Sequence, residues 1–529
     1  MRTTGRLTVA AFTATALLLT ACSSNDRPDE RSPGDSESDS PSAAPSAPPL
    51  EPLPEEIPAE LQPYYDQELT WGPCEASGFQ CATLTVPLDY ENVDPAQDIQ
   101  LTVTRASATS PDQRIGGLLM NPGGPGASAV DFAQGAAEYI FPPEVRARYD
   151  MVGLDARGTG QSEPVECLSG DEMDDYTLTD RTPDSDAEVD ELRAAFDEFA
   201  QGCQERSGTL LEHISTIESA RDMDVLRAAL GDEKLYYVGF SYGTKLGAVY
   251  AGLFPQRTGR LVLDAAVDPR LSTLETDREQ AGGFETAFRS YAEDCGTSRA
   301  NCPLGTDGPD AASQTLLDFF AEVDAEPLPS GDPDRPLTES LASTGVAYAL
   351  YSEDLWPRLT NALGVAMRGG DGSALLDLAD EYNEREPNGA YGTSMFAFPA
   401  ISCLDSPAGN EDADAVRSNL ASYEEASPTF GRDFAWATLL CAAWPVEPTG
   451  TPIDIAAPGA TDIVVIGTLR DPATPYAWAE GLADQLETGV LLTYDGDGHG
   501  AYGGYSECID SAVNTYLLEN ITPEAGTTC

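Results

Sequence analysis

The sequence predicts an α/β fold, a mainly parallel sheet with helices on both faces, interrupted late by a mostly helical cap. Three observations carry this expectation. Between residues 115 and 264, short apolar runs alternate with stretches of helical periodicity, the pattern of strands joined by crossover helices. From 265 to 458 the strand signal fails for roughly 190 residues, more than a loop in a compact domain allows. From 459 the alternation resumes, which places the insertion between late strands of one sheet rather than between two domains in series.

The chain of 529 residues begins with Arg2 and Arg6 before an apolar run, Leu7 to Leu19. A basic start, a short apolar stretch and small residues describe a secretory signal over residues 1–21, and the stretch is short for a permanent span. Leu19-Thr20-Ala21-Cys22 resembles a bacterial lipobox, which makes Cys22 the candidate lipidated residue. Residues 22–63 are rich in Ser, Pro, Asp and Glu, so they read as a disordered tether.

Residues 64–264 form the first part of the core. Ile115 to Met120 is a strand that ends in Asn121-Pro122-Gly123-Gly124-Pro125-Gly126, followed by a helix near Ser128 to Tyr139. Tyr149 to Leu154 is the next strand. Thr216 to Leu230 has helical spacing, Leu235 to Val238 is a strand, Thr244 to Phe254 a helix and Leu261 to Leu263 a strand. The cap, 265–458, carries helical patterns such as Ala312 to Val323 and Leu355 to Met367. The C-terminal part of the core, 459–529, contains the strand Ile463 to Ile466, a helix near Tyr476 to Leu486, the strand Val490 to Tyr494 and a helix from Glu507 to Leu518.

The balance of 29 Lys and Arg against 89 Asp and Glu gives a net charge of −60. Such a field repels phosphate backbones and anionic headgroups, which argues against nucleic acid as a partner. Apart from Cys22, ten cysteines remain of the 11, an even number that suits disulfides in an exported chain. Pairing sequence neighbours gives 74–81, 167–203, 295–302, 403–441 and 508–529, although spacing alone fixes no connectivity. With no C-x-x-C and only His213 and His499, no metal site is expected.

Gly239-Phe240-Ser241-Tyr242-Gly243 is a G-x-S-x-G that follows a strand and opens a helix, the context a nucleophilic serine requires. A serine hydroxyl needs a base to take its proton and an acid to orient that base. His499 lies in a glycine-rich loop directly after a strand, whereas His213 sits before a helix with no such surroundings. Asp471, in Arg470-Asp471-Pro472-Ala473-Thr474-Pro475, is favoured as the acid, with Asp264 at an earlier strand end as its rival. Thr474 reads either as a hydrogen-bonding turn residue or as a helix N-cap. The backbone N–H groups of Tyr242 and of Gly124, preferred over Gly123, are candidates for an oxyanion hole. The glycine-rich loop lacks a following G-K-[ST], so a nucleotide or other cofactor is not expected.

Together, Asn121 to Gly126, Asp155-Ala-Arg-Gly-Thr-Gly-Gln-Ser162, Gly239 to Gly243, Arg470 to Pro475 and Gly498-His499-Gly500 resemble the secreted tripeptidyl aminopeptidases of the α/β-hydrolase superfamily. The likeness runs from about Pro73 to the C-terminus. It implies an α/β-hydrolase fold with a helical cap and a serine exopeptidase acting on peptides with free N-termini. The related prolyl iminopeptidases carry His where this chain has Pro122, which weakens any carry-over of strict proline specificity. By the same analogy Glu353 and Asp405 in the cap are candidates to receive the substrate amine, against ordinary roles at a helix start and in a turn. An exported carboxylesterase or lipase with the same triad is the alternative, because fold and triad do not choose a substrate. A binding lipoprotein is disfavoured by the completeness of Ser241, Asp471 and His499. The N-terminal segment with its lipobox-like Cys22 implies a location at the outer face of the cell membrane, held there by lipid alone, or secretion.

Overall fold

Parallel strands need crossovers, and the chain supplies one after nearly every apolar run. Among the described residues the strands are β1 (Gly72–Pro73), β2 (Gln80–Val86), β3 (Ile99–Ala106), β4 (Gly116–Asn121), β5 (Tyr149–Leu154), β6 (Leu235–Phe240), β7 (Thr258–Asp264), β8 (Ile463–Arg470), β9 (Gly489–Asp497) and β10 (Thr527–Thr528). They form one sheet in the order β1-β2-β3-β5-β4-β6-β7-β8-β9-β10. β2 pairs antiparallel with β1 and β3, and β3 with β5; the ladder from β5 through β10 is parallel. The computed structural model describes residues 47–529 apart from 75, 299 and 300. The expected signal segment and Cys22 lie outside them.

Alternation along the strands feeds two cores. Leu118 and Met120 of β4 pack with Val262, Val464 and Ile466 under the helices Ala129–Ile140 and Glu507–Glu519. Leu119, Leu261, Leu263, Ile463 and Val465 face the opposite side, under the helices Thr216–Ala229, Tyr242–Leu253 and Tyr476–Gln485. β4 and β5 are buried throughout, as parallel strands covered on both faces must be. No described helix is long and apolar enough to cross a membrane.

Between β7 and β8 the chain forms helices from Thr273–Ser298 to Leu439–Ala442, with a core of their own around Phe288, Leu316, Phe319, Leu341, Leu359 and Leu375. This helical layer has a second source that the sequence reading missed. Between β5 and β6, the helices Gly170–Leu178 and Asp186–Ser207 leave the sheet and join it. Val189, Leu192 and Phe196 pack against Val416 and Trp436, while Phe199 packs with Phe396 and Trp444. Two capping boxes, Ser169 with Glu172 and Ser185 with Glu188, start the two helices.

The expected tether through Pro63 needs correction. Residues 47–63 are a strap laid along the base of the core. Pro49 bridges Asp454, the Leu50 N–H donates to the Asp454 carbonyl at 2.8 Å, and the Leu53 N–H donates to the Leu253 carbonyl at 2.9 Å. Leu50, Leu53 and Ile57 pack against the core, and Leu61 is part of it. The proline-rich composition hid four apolar anchors.

The five disulfides join Cys74–Cys81, Cys167–Cys203, Cys295–Cys302, Cys403–Cys441 and Cys508–Cys529, each pair being sequence neighbours among these ten cysteines. Non-reducing peptide mapping should recover these pairs and no free thiol among them. Leu61→Ala should cost about 2–4 kcal/mol in denaturant unfolding, the usual loss for a buried leucine. A disordered tether would give no measurable change.

Candidate active site

The site gathers at the carboxyl ends of β4, β6, β7, β8 and β9, where open parallel sheets bind ligands. Ser241 follows β6 with φ 55° and ψ −127°, a left-handed backbone that a non-glycine residue adopts only when its surroundings impose it. The turn is possible because a side chain at Gly239 would sit 2.4 Å from the Gly243 carbonyl, and one at Gly243 would sit 2.9 Å from that of Asn121. The Ser241 N–H donates to the Asp264 carbonyl at 2.9 Å, and its hydroxyl has no hydrogen-bond partner among the described residues.

Asp471 lies in the loop after β8 and is 2% exposed. Its Oδ1 accepts the N–H groups of Ala473 and Thr474, both at 2.9 Å, and the His499 Nδ1–H at 2.8 Å. The carboxylate is fixed by the turn that follows it. With Nδ1 engaged, His499 presents Nε2 as a free base. Burial pulls the His499 imidazolium down, but the Asp471 charge and hydrogen bond, with Asp264 behind, outweigh it and leave the group above its ordinary value. Thr474 does not cap the next helix. Its Oγ1 lies 3.5 Å from His499 Nδ1, and Pro475 takes the cap position.

Asp264, the rival acid, has another task. Its carboxylate accepts the N–H groups of Ala501 at 3.0 Å and Tyr502 at 2.8 Å, pinning the loop that carries His499. Asp495 and Asp497 are held by Arg470 at 2.8 and 2.9 Å, and His213 Nδ1 faces Glu218 at 3.2 Å. Neither aspartate pairs with His499.

On the oxyanion side, the Gly123 N–H is taken by Asn121 Oδ1 at 2.9 Å, whereas Gly124 is exposed and its N–H has no partner among the described residues. Tyr242 opens a helix, so its N–H has no acceptor within the helix. A side chain built at Gly123 would lie 3.2 Å from the Tyr242 nitrogen, so the glycine loop that carries Gly124 lies against the start of this helix. The arrangement can receive a developing negative charge.

The two carboxylates considered for an amine fare differently. Asp405 is corrected: it is buried and already neutralised by Lys245 Nζ at 3.0 Å, with the Thr216 N–H donating at 2.9 Å. The Thr216 hydroxyl links it to the Tyr242 hydroxyl, so Asp405 ties the cap to the helix behind Ser241. Its partner Lys245 is distant in sequence, which hid the pairing. Glu353 is exposed, with no ion-pair partner among the described residues, and burial and the Asp497 charge hold its carboxyl above the usual range. In the helical layer Asp180, Asp324 and Glu339 bring carboxylate oxygens within 4.8 Å of one another, and burial pushes Glu339 up to about 7.

A strained serine at a strand–helix turn, within a sheet of this topology, defines a serine hydrolase of the α/β-hydrolase fold. Residues 117–302 match the family model of the alpha/beta hydrolase fold, and residues 427–529 match that of the TAP-like proteins. Three relatives align over most of their length. Serine protease Hip1 of Mycobacterium tuberculosis is 38% identical over 487 residues, covering 88% of this chain and 92% of that protein. Carboxylesterase B of the same organism is 39% identical, covering 88% and 91%, and the tripeptidyl aminopeptidase of Streptomyces lividans is 32% identical, covering 87% and 86%. The chain belongs to the TAP-like family of α/β hydrolases.

The charge environment of His499 makes a pH prediction. A histidine acting as general base works in its neutral form, so for His499 in that role a raised pKa would move the loss of activity to higher pH. The acid limb of kcat/KM should lie above the ordinary value of about 6.5. Asp471→Asn should shift that limb to lower pH and reduce kcat by about 10⁴-fold. A limb that does not move would show that Asp471 does not set the base.

Proposed function

We propose that this chain is an exported serine exopeptidase that releases short peptides, tripeptides in the first instance, from free N-termini. Ser241 Oγ attacks the scissile carbonyl carbon while His499 Nε2 takes its proton. The N–H groups of Gly124 and Tyr242 receive the oxyanion. Collapse of the tetrahedral species breaks the C–N bond, and His499 passes the proton to the leaving amine. Water, deprotonated by His499, then hydrolyses the acyl-enzyme and restores Ser241. The observation that carries this reading is the 2.8 Å contact of His499 with an Asp471 carboxylate already fixed by two backbone N–H groups. The serine protease and tripeptidyl aminopeptidase among the relatives support peptide as the substrate class.

Glu353 is the proposed receiver of the α-ammonium. It follows by two residues Tyr351, whose carbonyl accepts the His499 N–H at 2.9 Å, and it has no cation of its own among the described residues. A carboxylate raised by burial and by the neighbouring Asp497 charge gains most from a substrate cation. The second reading is an exported carboxylesterase, supported by the relative of that name. The chain is further proposed to act outside the cell membrane, held by lipid on Cys22.

Ser241→Ala, verified as folded, should lose roughly 10⁴-fold or more of turnover; near-wild-type activity would remove Ser241 from the mechanism. In a panel of amino-acid, dipeptide and tripeptide anilides, the tripeptide should be the best substrate. N-acetylating it should lower kcat/KM by about 10²-fold, and Glu353→Gln should erase most of that difference. Equal cleavage of free and acetylated peptides, with faster cleavage of simple esters, would favour the esterase instead. Cys22→Ser should release the protein from the membrane fraction or block its maturation, and a soluble, unmodified wild type would defeat the anchor.

A further inference from the structure

His499 sits in Gly496-Asp497-Gly498-His499-Gly500, a segment with little side-chain bulk to hold it. Asp471 fixes one ring nitrogen, but a single hydrogen bond does not fix the plane of a ring. What stands against the rest of it comes from the cap. The Tyr351 carbonyl accepts the His499 N–H at 2.9 Å, and the Tyr351 ring meets the imidazole edge-on, with centroids 5.3 Å apart and planes at 85°.

The approach depends on Gly498. It has φ +101°, and a Cβ there would lie 3.1 Å from the Tyr351 oxygen. The Tyr351 ring is itself braced inside the cap, by Phe284 at 5.8 Å and Tyr382 at 6.2 Å. Phe284 belongs to the helix Thr273–Ser298, which also holds the acid. A Cβ on the adjacent Gly283 would lie 2.5 Å from the Pro472 carbonyl, and Gln280 Nε2 donates to the Ala473 carbonyl at 2.6 Å. One braced unit of the cap therefore touches both the Asp471 loop and the His499 ring.

We propose that Tyr351 is a positioning residue that sets the orientation of the His499 imidazole from the cap. The inference rests on His499 being the base that serves Ser241. The ring supplies the orientation, since the carbonyl is common to every residue type and the hydroxyl is directed to Tyr382 inside the cap, not to His499. A base turned away from the serine loses rate without losing substrate, because misplacement by about 1 Å costs on the order of 10²-fold in a reaction that depends on alignment.

The test compares wild type, Tyr351→Phe, Tyr351→Leu and Tyr351→Ala by three readouts. These are the rate of Ser241 labelling by a fluorophosphonate, kcat and KM on a tripeptide anilide, and the far-downfield proton resonance of the His499–Asp471 hydrogen bond. Tyr351→Phe should stay within about threefold of wild type throughout. Tyr351→Ala should lower labelling and kcat by about tenfold or more, with KM within threefold and the downfield resonance broadened or lost. Tyr351→Leu keeps apolar bulk but no ring, and it should follow the alanine variant, so the test survives if alanine fails to fold. Wild-type protein that is not labelled on Ser241 would overturn the serine mechanism and this inference with it. Normal labelling of wild type, with unchanged labelling or a KM effect alone in the leucine and alanine variants, would overturn the role of Tyr351 only.

Discussion

The side-chain carboxylate of Asp264 joins the two halves of the site. It is fully buried at the end of β7 with no lysine or arginine paired to it among the described residues, and the Ala501 and Tyr502 N–H groups supply the stabilisation a buried charge requires. Burial pushes the carboxyl up to about 6, against the pull of those two donors. The main-chain carbonyl of the same residue accepts the Ser241 N–H. One residue thereby registers the turn of the serine against the loop of the histidine, two segments separated by the whole cap. Because Phe240, Asp264 and Ile466 lie side by side in neighbouring parallel strands, this registry inherits the stiffness of the sheet.

The helical layer extends that registry upward. It meets each catalytic segment separately: Ala397 against Gly126, Asp405 through Thr216 and Lys245 against the helix behind Ser241, Gly283 against the Asp471 loop, and Tyr351 against His499. Several of these contacts are backbone to backbone or need a glycine, so they leave little room for sliding. The layer is assembled from two places in the chain, between β5 and β6 and between β7 and β8, which makes its seating a long-range event in folding. Cys167–Cys203 and Cys403–Cys441 each close a loop within one of those contributions.

Much of this was readable in the sequence because parallel strands buried on both faces appear as uniform apolar runs, as β4, β5 and the middle of β8 do. The serine turn was legible from its context, a strand before and a helix after, and the acid loop from the rigid turn around Pro472. The antiparallel strands β2 and β3 carry the strict apolar–polar alternation of half-buried strands, with Leu84, Val86, Leu101 and Val103 inward and polar residues between them; they differ from the uniform apolar runs by which the parallel strands were found. Leu50, Leu53, Ile57 and Leu61 were masked by prolines and acids. The pairing of Asp405 with Lys245 and the contact of Tyr351 with His499 span 160 and 148 residues of sequence (405 − 245 and 499 − 351), and no local pattern encodes a partner at that distance. Glu353 was selected by position and analogy, and only its surroundings in three dimensions separate it from Asp405.

The strap at residues 47–63 has a mechanical consequence. It is fastened at Asp454 and Leu253, the latter being the last residue of the helix that Ser241 begins. Those 12 residues rise about 18 Å, so the fastening lies at the opposite pole from the chemistry. A force drawing on residue 47 is borne first by the Leu50 and Leu53 hydrogen bonds and then by the body of the sheet. Under a load applied at residue 47 the strap would work as a strain relief, spreading the load at the base while the pole that carries Ser241, Asp471 and His499 stays unloaded.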